Sequence, residues 1–361
     1  MTKRNTKKRL GLKEFVLTLL LMLILWVARE LLGVALLPEP EPTGALQVYF
    51  TSPRYQDTGE DQHGGLDEQL ADAIDQAAES VEVAAYDFDL ASVSASLVRA
   101  ADRGVRVRLV TDTDYAEEAG PVTLRSAGIP VVTDEQESFM HNKFVVIDNY
   151  QLWTGSWNLT DNGTYRNNNN VVVVQSSKLA ANYVTEFEEM FEQGAFGPSS
   201  PETVPHPKID LNGILIETIF ESEGAARDQI VQTIENAKSS VLFMAFVFTD
   251  DEIAEAIIDQ HRAGLRVAGV FEARNAESPG SDIASFQRAG VDVLEDGNPY
   301  IMHHKVIIVD EEVIVTGSYN FSASAADQND ENVLIIESQD VASYYVAEFS
   351  RIYQEAKEAK P

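Results

Sequence analysis

The feature that most constrains this chain is an internal duplication. SVEVAAYDFD (80–89), ASVSASLVRAADRG (91–104) and VRVRLVTD (105–112) recur in the same order as SSVLFMAFVFTD (239–250), DEIAEAIIDQHRAG (251–264) and LRVAGVFE (265–272), at a constant offset of 160 residues. SAGIPVV (126–132) then returns as RAGVDVL (288–294) at an offset of 162, so two residues are gained between the copies, in the ARNAESPGSD region. Each block reads as strand, helix, strand. The apolar runs lack alternation, which suits strands covered on both faces, and Gly104 and Gly264 suit helix C-termini. The pattern predicts an α/β fold of two similar βαβ-type halves in a pseudo-twofold arrangement, with a cleft where equivalent edges meet. The first repeat is placed at 47–196 and the second at 213–357, joined by a Pro- and Ser-containing linker at 197–212.

What precedes the duplication differs in kind. Six of the 27 Lys and Arg residues fall in a basic tail at 1–13, so the rest of the chain sets 21 of them against 58 Asp and Glu, a net charge of −37. An apolar stretch follows at 14–37, interrupted by Arg29 and Glu30, and then a Pro-rich linker at 38–46. About 20 apolar residues span a bilayer if charged residues near one interface snorkel. The stretch predicts a single N-terminal transmembrane signal-anchor, with the N-terminus cytoplasmic and the body outside, in the cell membrane. A secreted protein after signal cleavage is the alternative, disfavoured because no small-x-small site follows the apolar core. The chain has 0 Cys, which excludes disulfides, thiol catalysis and Cys-based zinc sites. Its acidity opposes nucleic acid and anionic bilayers at long range.

Each half next presents the same constellation. His141-x-Lys143-x4-Asp148 is followed by Gly155-Ser156-x-Asn158, and His303-x-Lys305-x4-Asp310 by Gly317-Ser318-x-Asn320, with identical spacing. A chance match is of order one in 10⁸ per position, so two at corresponding places are not coincidence. Strand alternation puts each His and Lys on one face, and short turns after each Asp return the Gly-Ser-x-Asn strand as an antiparallel neighbour. A lysine beside each histidine repels a metal cation, whereas Lys plus Asn suits an anionic phosphoryl oxygen. No metal and no cofactor is called for. Asp148 and Asp310, about 20 Å along the strand from the histidines, are read as turn-stabilising. His63, His206 and His261 are read as ordinary surface or core side chains.

These motifs resemble those of the phospholipase D superfamily over about residues 46–355. The resemblance implies two α/β/α sandwich halves and a two-step displacement at phosphorus. His141 would attack to form a phosphohistidine, and His303 would protonate the leaving alcohol and then activate water. Lys143, Lys305, Asn158 and Asn320 would hold the non-bridging oxygens, with Ser156 and Ser318 as supporting donors to the phosphate site. Where the family often has a carboxylate that orients the opposite histidine, the second half has Glu331 and the first has Asn169. Glu331 is therefore expected to accept a hydrogen bond from His141, leaving His303 only the neutral Asn169. The substrate is expected to be a phospholipid, contacted through the anchor's membrane and through some of Phe139, Met140, Trp157, Met302 and Tyr319. A nuclease or a phosphatidyltransferase of the cardiolipin synthase type is the alternative. A nuclease needs a basic groove, and Arg103, Arg106, Arg108, Arg125, Arg262 and Arg266 are scattered. A non-catalytic scaffold is disfavoured because both motifs are intact. A monomer suffices for a complete site.

Overall fold

The first repeat builds one sheet and the second builds its counterpart. In the computed structural model, residues 45–54, 62–201, 203–221 and 225–359 are described; the 14–37 stretch and its basic tail lie outside them. Among the described residues no helix is long and apolar enough to cross a membrane. The first half runs β1 (Leu46–Thr51), α1 (Leu66–Asp75), β2 (Ser80–Ala85), α2 (Ala91–Asp102), β3 (Arg106–Thr111), α3 (Ala119–Ser126), β4 (Val131–Thr133), β5 (Lys143–Ile147), β6 (Gln151–Gly155), α4 (Asp161–Tyr165), β7 (Asn169–Gln175) and α5 (Ser177–Gln193). The second runs β8 (Lys208–Leu211), β9 (Ile214–Glu221), α6 (Ala225–Glu235), β10 (Ser240–Ala245), α7 (Asp251–Arg262), β11 (Arg266–Phe271), α8 (Ala273–Ala276), α9 (Ile283–Ala289), β12 (Asp292–Glu295), β13 (Lys305–Val309), β14 (Val313–Gly317), α10 (Ala323–Asp327), β15 (Glu331–Glu337) and α11 (Gln339–Ala359).

Strand order is β1-β7-β6-β5-β2-β3-β4 in one sheet and, read from its far edge, β8-β9-β15-β14-β13-β10-β11-β12 in the other, so the copies correspond strand for strand with β8 added. β8 lies inside the segment read from sequence as a linker: Ile209 and Leu211 alternate inward against β9, enough to extend the sheet. β2, β3 and β4 pair in parallel, as do β10, β11 and β12, because a helix returns the chain between them. The remaining pairs are antiparallel, including the β5–β6 and β13–β14 hairpins.

Period-two alternation sorts each central strand between two cores. Val81, Val83 and Val145 face outward to Leu70, Ile74, Val93 and Leu97 of α1 and α2; Val241, Phe243 and Ile307 face Ile230, Ile234, Ile253 and Ile257 of α6 and α7. The opposite faces share one core. Ala84, Phe144 and Val146 pack with Tyr183 and Phe187 of α5, and Leu242, Val306 and Ile308 with Tyr345 and Phe349 of α11, in a single continuous cluster. Each half is thus a sheet between helices, and α5 and α11 occupy the layer the halves have in common. Burying that layer joins the repeats into one body.

The motif aspartates serve this frame. Asp148 and Asn149 (φ 53 and 52) and Asp310 and Glu311 (φ 56 and 56) are the central residues of the tight hairpin turns, with both φ values positive as a type I′ turn requires. The Asp148 carboxylate accepts from the backbone N–H of Ala78 (3.0 Å), Glu79 (2.7 Å) and Ser80 (3.0 Å). Asp310 does the same for Lys238 (2.8 Å), Ser239 (2.6 Å) and Ser240 (3.0 Å). Each ties a hairpin to the start of its central strand. Against the cost of burial, these amides hold the Asp310 carboxyl below its usual value. A carboxylate with a depressed folded-state pKa stabilises above the unfolded pKa and stops doing so as pH falls through the folded value. Asp310→Ala is expected to cost about 1–3 kcal/mol at pH 7, with the gap in denaturation midpoint from the unaltered protein closing below about pH 4. A gap that does not narrow as the pH is lowered would contradict the assignment.

Candidate active site

Each motif histidine is positioned by the opposite half. His141 lies two residues before β5, on an extended stretch paired with the residues that lead into β15: its N–H donates to the Asp330 carbonyl (3.0 Å), and the Asp330 N–H donates to the Phe139 carbonyl (2.9 Å). The counterpart joins His303 N–H to the Asn168 carbonyl (2.9 Å) and Asn168 N–H to the Ile301 carbonyl (2.9 Å). Carboxylates at the ends of β3 and β11 hold the preceding residue: Asp112 accepts from Met140 N–H (3.0 Å) and Glu272 from Met302 N–H (2.6 Å).

The side chains follow the same exchange. His141 Nδ1 lies 2.8 Å from the carboxylate of Glu331, a residue with no exposed surface that also accepts from the Ser318 hydroxyl. His303 Nδ1 lies 2.9 Å from Asn169 Oδ1 and 3.0 Å from the Ser156 carbonyl. Acceptors at Nδ1 fix its proton there, which leaves Nε2 of each ring as a lone-pair nitrogen. Lys143 Nζ donates to the His141 carbonyl (2.7 Å) and stands 4.8 Å from the Tyr86 ring centre. Lys305 Nζ is 3.1 Å from His303 Nε2 and 4.9 Å from the Phe246 ring centre. The same two rings meet the histidines edge-on, at 4.8 Å and 4.5 Å.

Burial crowds these charges. It holds His141 well below the usual imidazole value, aided by Lys143 and Lys305; His303 is held down likewise by burial, Lys305 and Lys143. Lys143 falls to about 7 because burial outweighs the pull of Glu331, Asp87 and Asp112. Lys305 is held well below its usual value by burial and then by Lys143. Burial pushes Glu331 up to about 8 against Lys143 and the Ser318 hydroxyl. Two lysines, two histidines and one carboxylate are therefore matched to an anion between them. Among the described residues no group of three or more His, Asp and Glu side chains is arranged to hold a metal ion.

A cleft of about 600 Å³ opens over this cluster, lined by both imidazoles and by Asn158 and Asn320. Lys143 and Lys305 lie beneath its floor, buried at 4% and 1% exposure. Ser156 and Ser318 do not line it, which corrects the expectation that they serve the phosphate. Both have no exposed surface, and their hydroxyls are engaged by Asn169 and Glu331, so they brace the partners of the histidines. The reason lies in Gly155 and Gly317 (φ 151 and 147), where the strand passes so close to the Asn170 and Asn332 carbonyls that any Cβ would collide. Asp148 and Asp310 lie away from the cleft, as do His63, His206, His261 and the six scattered arginines. Met140, Trp157, Met302 and Tyr319 are core, at 0–4% exposure; Phe139, 39% exposed, stands at the cleft. Sequence reading missed Tyr86 and Phe246, Asp112 and Glu272, and the Asn170 and Asn332 pair. The 160- and 162-residue offsets already place each pair at equivalent positions.

The family described as "Cardiolipin synthase, PLD-like domain" matches residues 70–191 and again 230–353. The chain belongs to the phospholipase D superfamily. As a member it is a phosphodiesterase, and both copies of the family's half-motif are present in this one chain. It is 32% identical over 166 residues to a phospholipase D of Rickettsia prowazekii, covering 46% of this chain and 81% of that protein. It is 32% identical over 136 residues to the human mitochondrial cardiolipin hydrolase, covering 38% of this chain and 54% of that one. A crystal structure of phosphatidylserine synthase from Haemophilus influenzae matches over 88% of both chains with a TM-score of 0.66 at 12% identity, a likeness of fold across both halves.

The lysine shift has a measurable consequence. With Lys143 at about 7 in the free protein, its ammonium is present below that value and lost above it, so oxyanion affinity falls as pH rises. Tungstate, ionised throughout, is expected to bind roughly tenfold more weakly at pH 8.5 than at pH 6. An inhibition constant unchanged over that range would refute the coupling.

Proposed function

We propose that this phosphodiesterase hydrolyses a phospholipid head-group ester through a phosphohistidine on His141, without a metal, at a membrane to which the 14–37 segment tethers it. The observation that carries the mechanism is the crossed pairing of the two imidazoles: His141 with a carboxylate, His303 with a carboxamide, both over one cleft. Glu331 makes His141 Nε2 the more nucleophilic nitrogen, and Asn169 leaves His303 the more ready to give up a proton. His141 attacks phosphorus as the ester P–O bond breaks, and His303 supplies the proton to the leaving oxygen. His303 then takes a proton from water, the hydroxide attacks phosphorus, and the P–N bond breaks to restore His141. The substrate's own negative charge offsets what otherwise keeps His303 neutral, while Asn158 and Asn320 in the lining hold the non-bridging oxygens and Lys143 and Lys305 stabilise their charge from beneath the floor.

A lipid is favoured over nucleic acid by the composition of the cleft. Besides the histidines its lining carries Arg274 against Asp87 and Asp89, with Tyr86, Tyr115, Phe139 and Tyr300 supplying aromatic surface. A nucleic-acid groove needs a row of cations to displace counterions from successive phosphates. The names of the Rickettsia and human relatives point the same way, and the apolar stretch at 14–37 supports the tether.

Turnover of bis-p-nitrophenyl phosphate in chelator is expected, with phosphatidylcholine or cardiolipin vesicles consumed in preference to plasmid DNA. Plasmid cleaved faster than either lipid would overturn the lipid reading. Glu331→Gln is expected to slow the burst of phosphoenzyme about 10²-fold or more, and a burst of normal rate in that variant would remove Glu331 from the mechanism.

A further inference from the structure

The two walls of the cleft are built on matched positions and carry opposite charge. At the offset of 160, Val247, Thr249 and Arg274 stand where the first half has Asp87, Asp89 and Asp114. Their backbones are set alike: Arg274 N–H donates to Glu272, as Asp114 N–H donates to Asp112, each at the end of its strand. The position is therefore fixed by the fold and the charge by the residue chosen. Among the described residues that line the cleft, carboxylates are confined to Asp87 and Asp89, and Arg274 is the one guanidinium.

Arg274 is placed relative to the chemistry. Its Nη2 donates to the Pro299 carbonyl (3.0 Å), four residues before His303 and next to Tyr300, which also lines the cleft. Glu272, the carboxyl that interacts with Arg274, already accepts from the N–H groups of Met302 and Arg274, and burial with Asp296 pushes it up to about 7, so it offsets the guanidinium only in part. In-line displacement sets the attacking and leaving atoms on opposite sides of phosphorus. With His141 attacking, the leaving alcohol lies against the wall of His303, the wall that carries Arg274 and no lining carboxylate. An alcohol that bears an ammonium meets a like charge there. One that bears a phosphate meets a planar donor suited to it.

We propose that Arg274 selects the leaving alcohol by charge, so that the preferred substrate is a lipid whose departing alcohol carries a second phosphate. This rests on the phospholipid reading above. The cleaved bond is the ester P–O on the Arg274 side; the proton from His303 goes to the departing oxygen, and the second phosphate leaves unchanged, its charge held by the guanidinium until release. Asp87 and Asp89, on the opposite wall, repel that phosphate from the wrong orientation, so one charge pattern fixes which of two ester bonds faces His303.

The test uses the full chain in detergent with soluble dihexanoyl lipids that differ in the departing alcohol: glycerol phosphate, glycerol and choline. The first two differ by one phosphate alone. We expect kcat/KM to fall in that order, with glycerol phosphate favoured over choline by about tenfold or more, and Arg274→Glu to invert the order. Arg274→Gln, which keeps a polar side chain at an exposed position, is expected to bring the ratio near one and covers the case in which the charge reversal fails to fold. A choline lipid preferred by the unaltered protein, or a ratio that neither variant moves, overturns the proposal while leaving lipid hydrolysis intact. If no lipid is turned over by protein that cleaves bis-p-nitrophenyl phosphate, the lipid reading fails and charge selection falls with it.

Discussion

The structure depends on a buried exchange of hydrogen bonds between its two halves. Asn332, on β15, donates to Asn142 (2.8 Å) and accepts from Thr154 (2.9 Å), both in the first half. Asn170, on β7, faces His304 (3.2 Å) and accepts from Thr316 (2.7 Å), both in the second. Neither asparagine has exposed surface. Removing one partner while the asparagine stays buried would leave an unsatisfied amide, at a cost of about 1–3 kcal/mol. The seam therefore works as a registration device: with β7 and β15 locked, the histidines two residues before β5 and β13 face one another across the cleft.

Symmetry supplies the frame, and small departures from it supply the chemistry. Glu331 and Asn169 occupy equivalent positions, and the exchange of a carboxyl for a carboxamide distinguishes two otherwise matched imidazoles. A second departure lies directly behind. His304 contacts Glu348, which Arg351 and His304 hold down to about 2 against burial, whereas Asn142 contacts Glu186, which burial and Asp330 push well up. One inner helix thus brings beneath the site a carboxyl held down by Arg351 and His304, and the other a carboxyl pushed up by burial and Asp330. Both are long helices with the same register against their sheets, so these contrasts come from side chains alone.

Much of this was legible in the chain because repetition is a strong signal. The offset of 160 located the central strands and helices, and the extra two residues fell between β11 and β12 as the spacing indicated. The motif aspartates read as turn residues stand at the hairpin turns, because a position seven residues beyond a histidine along a strand reaches the far end of the hairpin. The serines were misplaced because strand alternation says which face a side chain takes but not what the next strand brings against it; Gly155 and Gly317 draw the neighbouring asparagine strand in and close both hydroxyls off. The five apolar residues near the motifs were indistinguishable in sequence, and only Phe139 emerged at the cleft. Strand β8 hid in a Pro-containing segment whose four sheet residues are too few to show a period.

Sequence alone determined that the chain has two copies of one unit, which His, Lys, Ser and Asn side chains each copy repeats at the same spacing, and that the copies differ at Glu331 and Asn169. These are local facts, carried by spacing and residue type. Tertiary structure decided that each histidine takes its partner from the other half, that the lysines lie under the floor with their charge compressed by burial, and that the walls have opposite sign. Those outcomes depend on distances between residues up to 190 positions apart and on how much water each loses. Neither quantity exists until the two sheets have closed on their shared core.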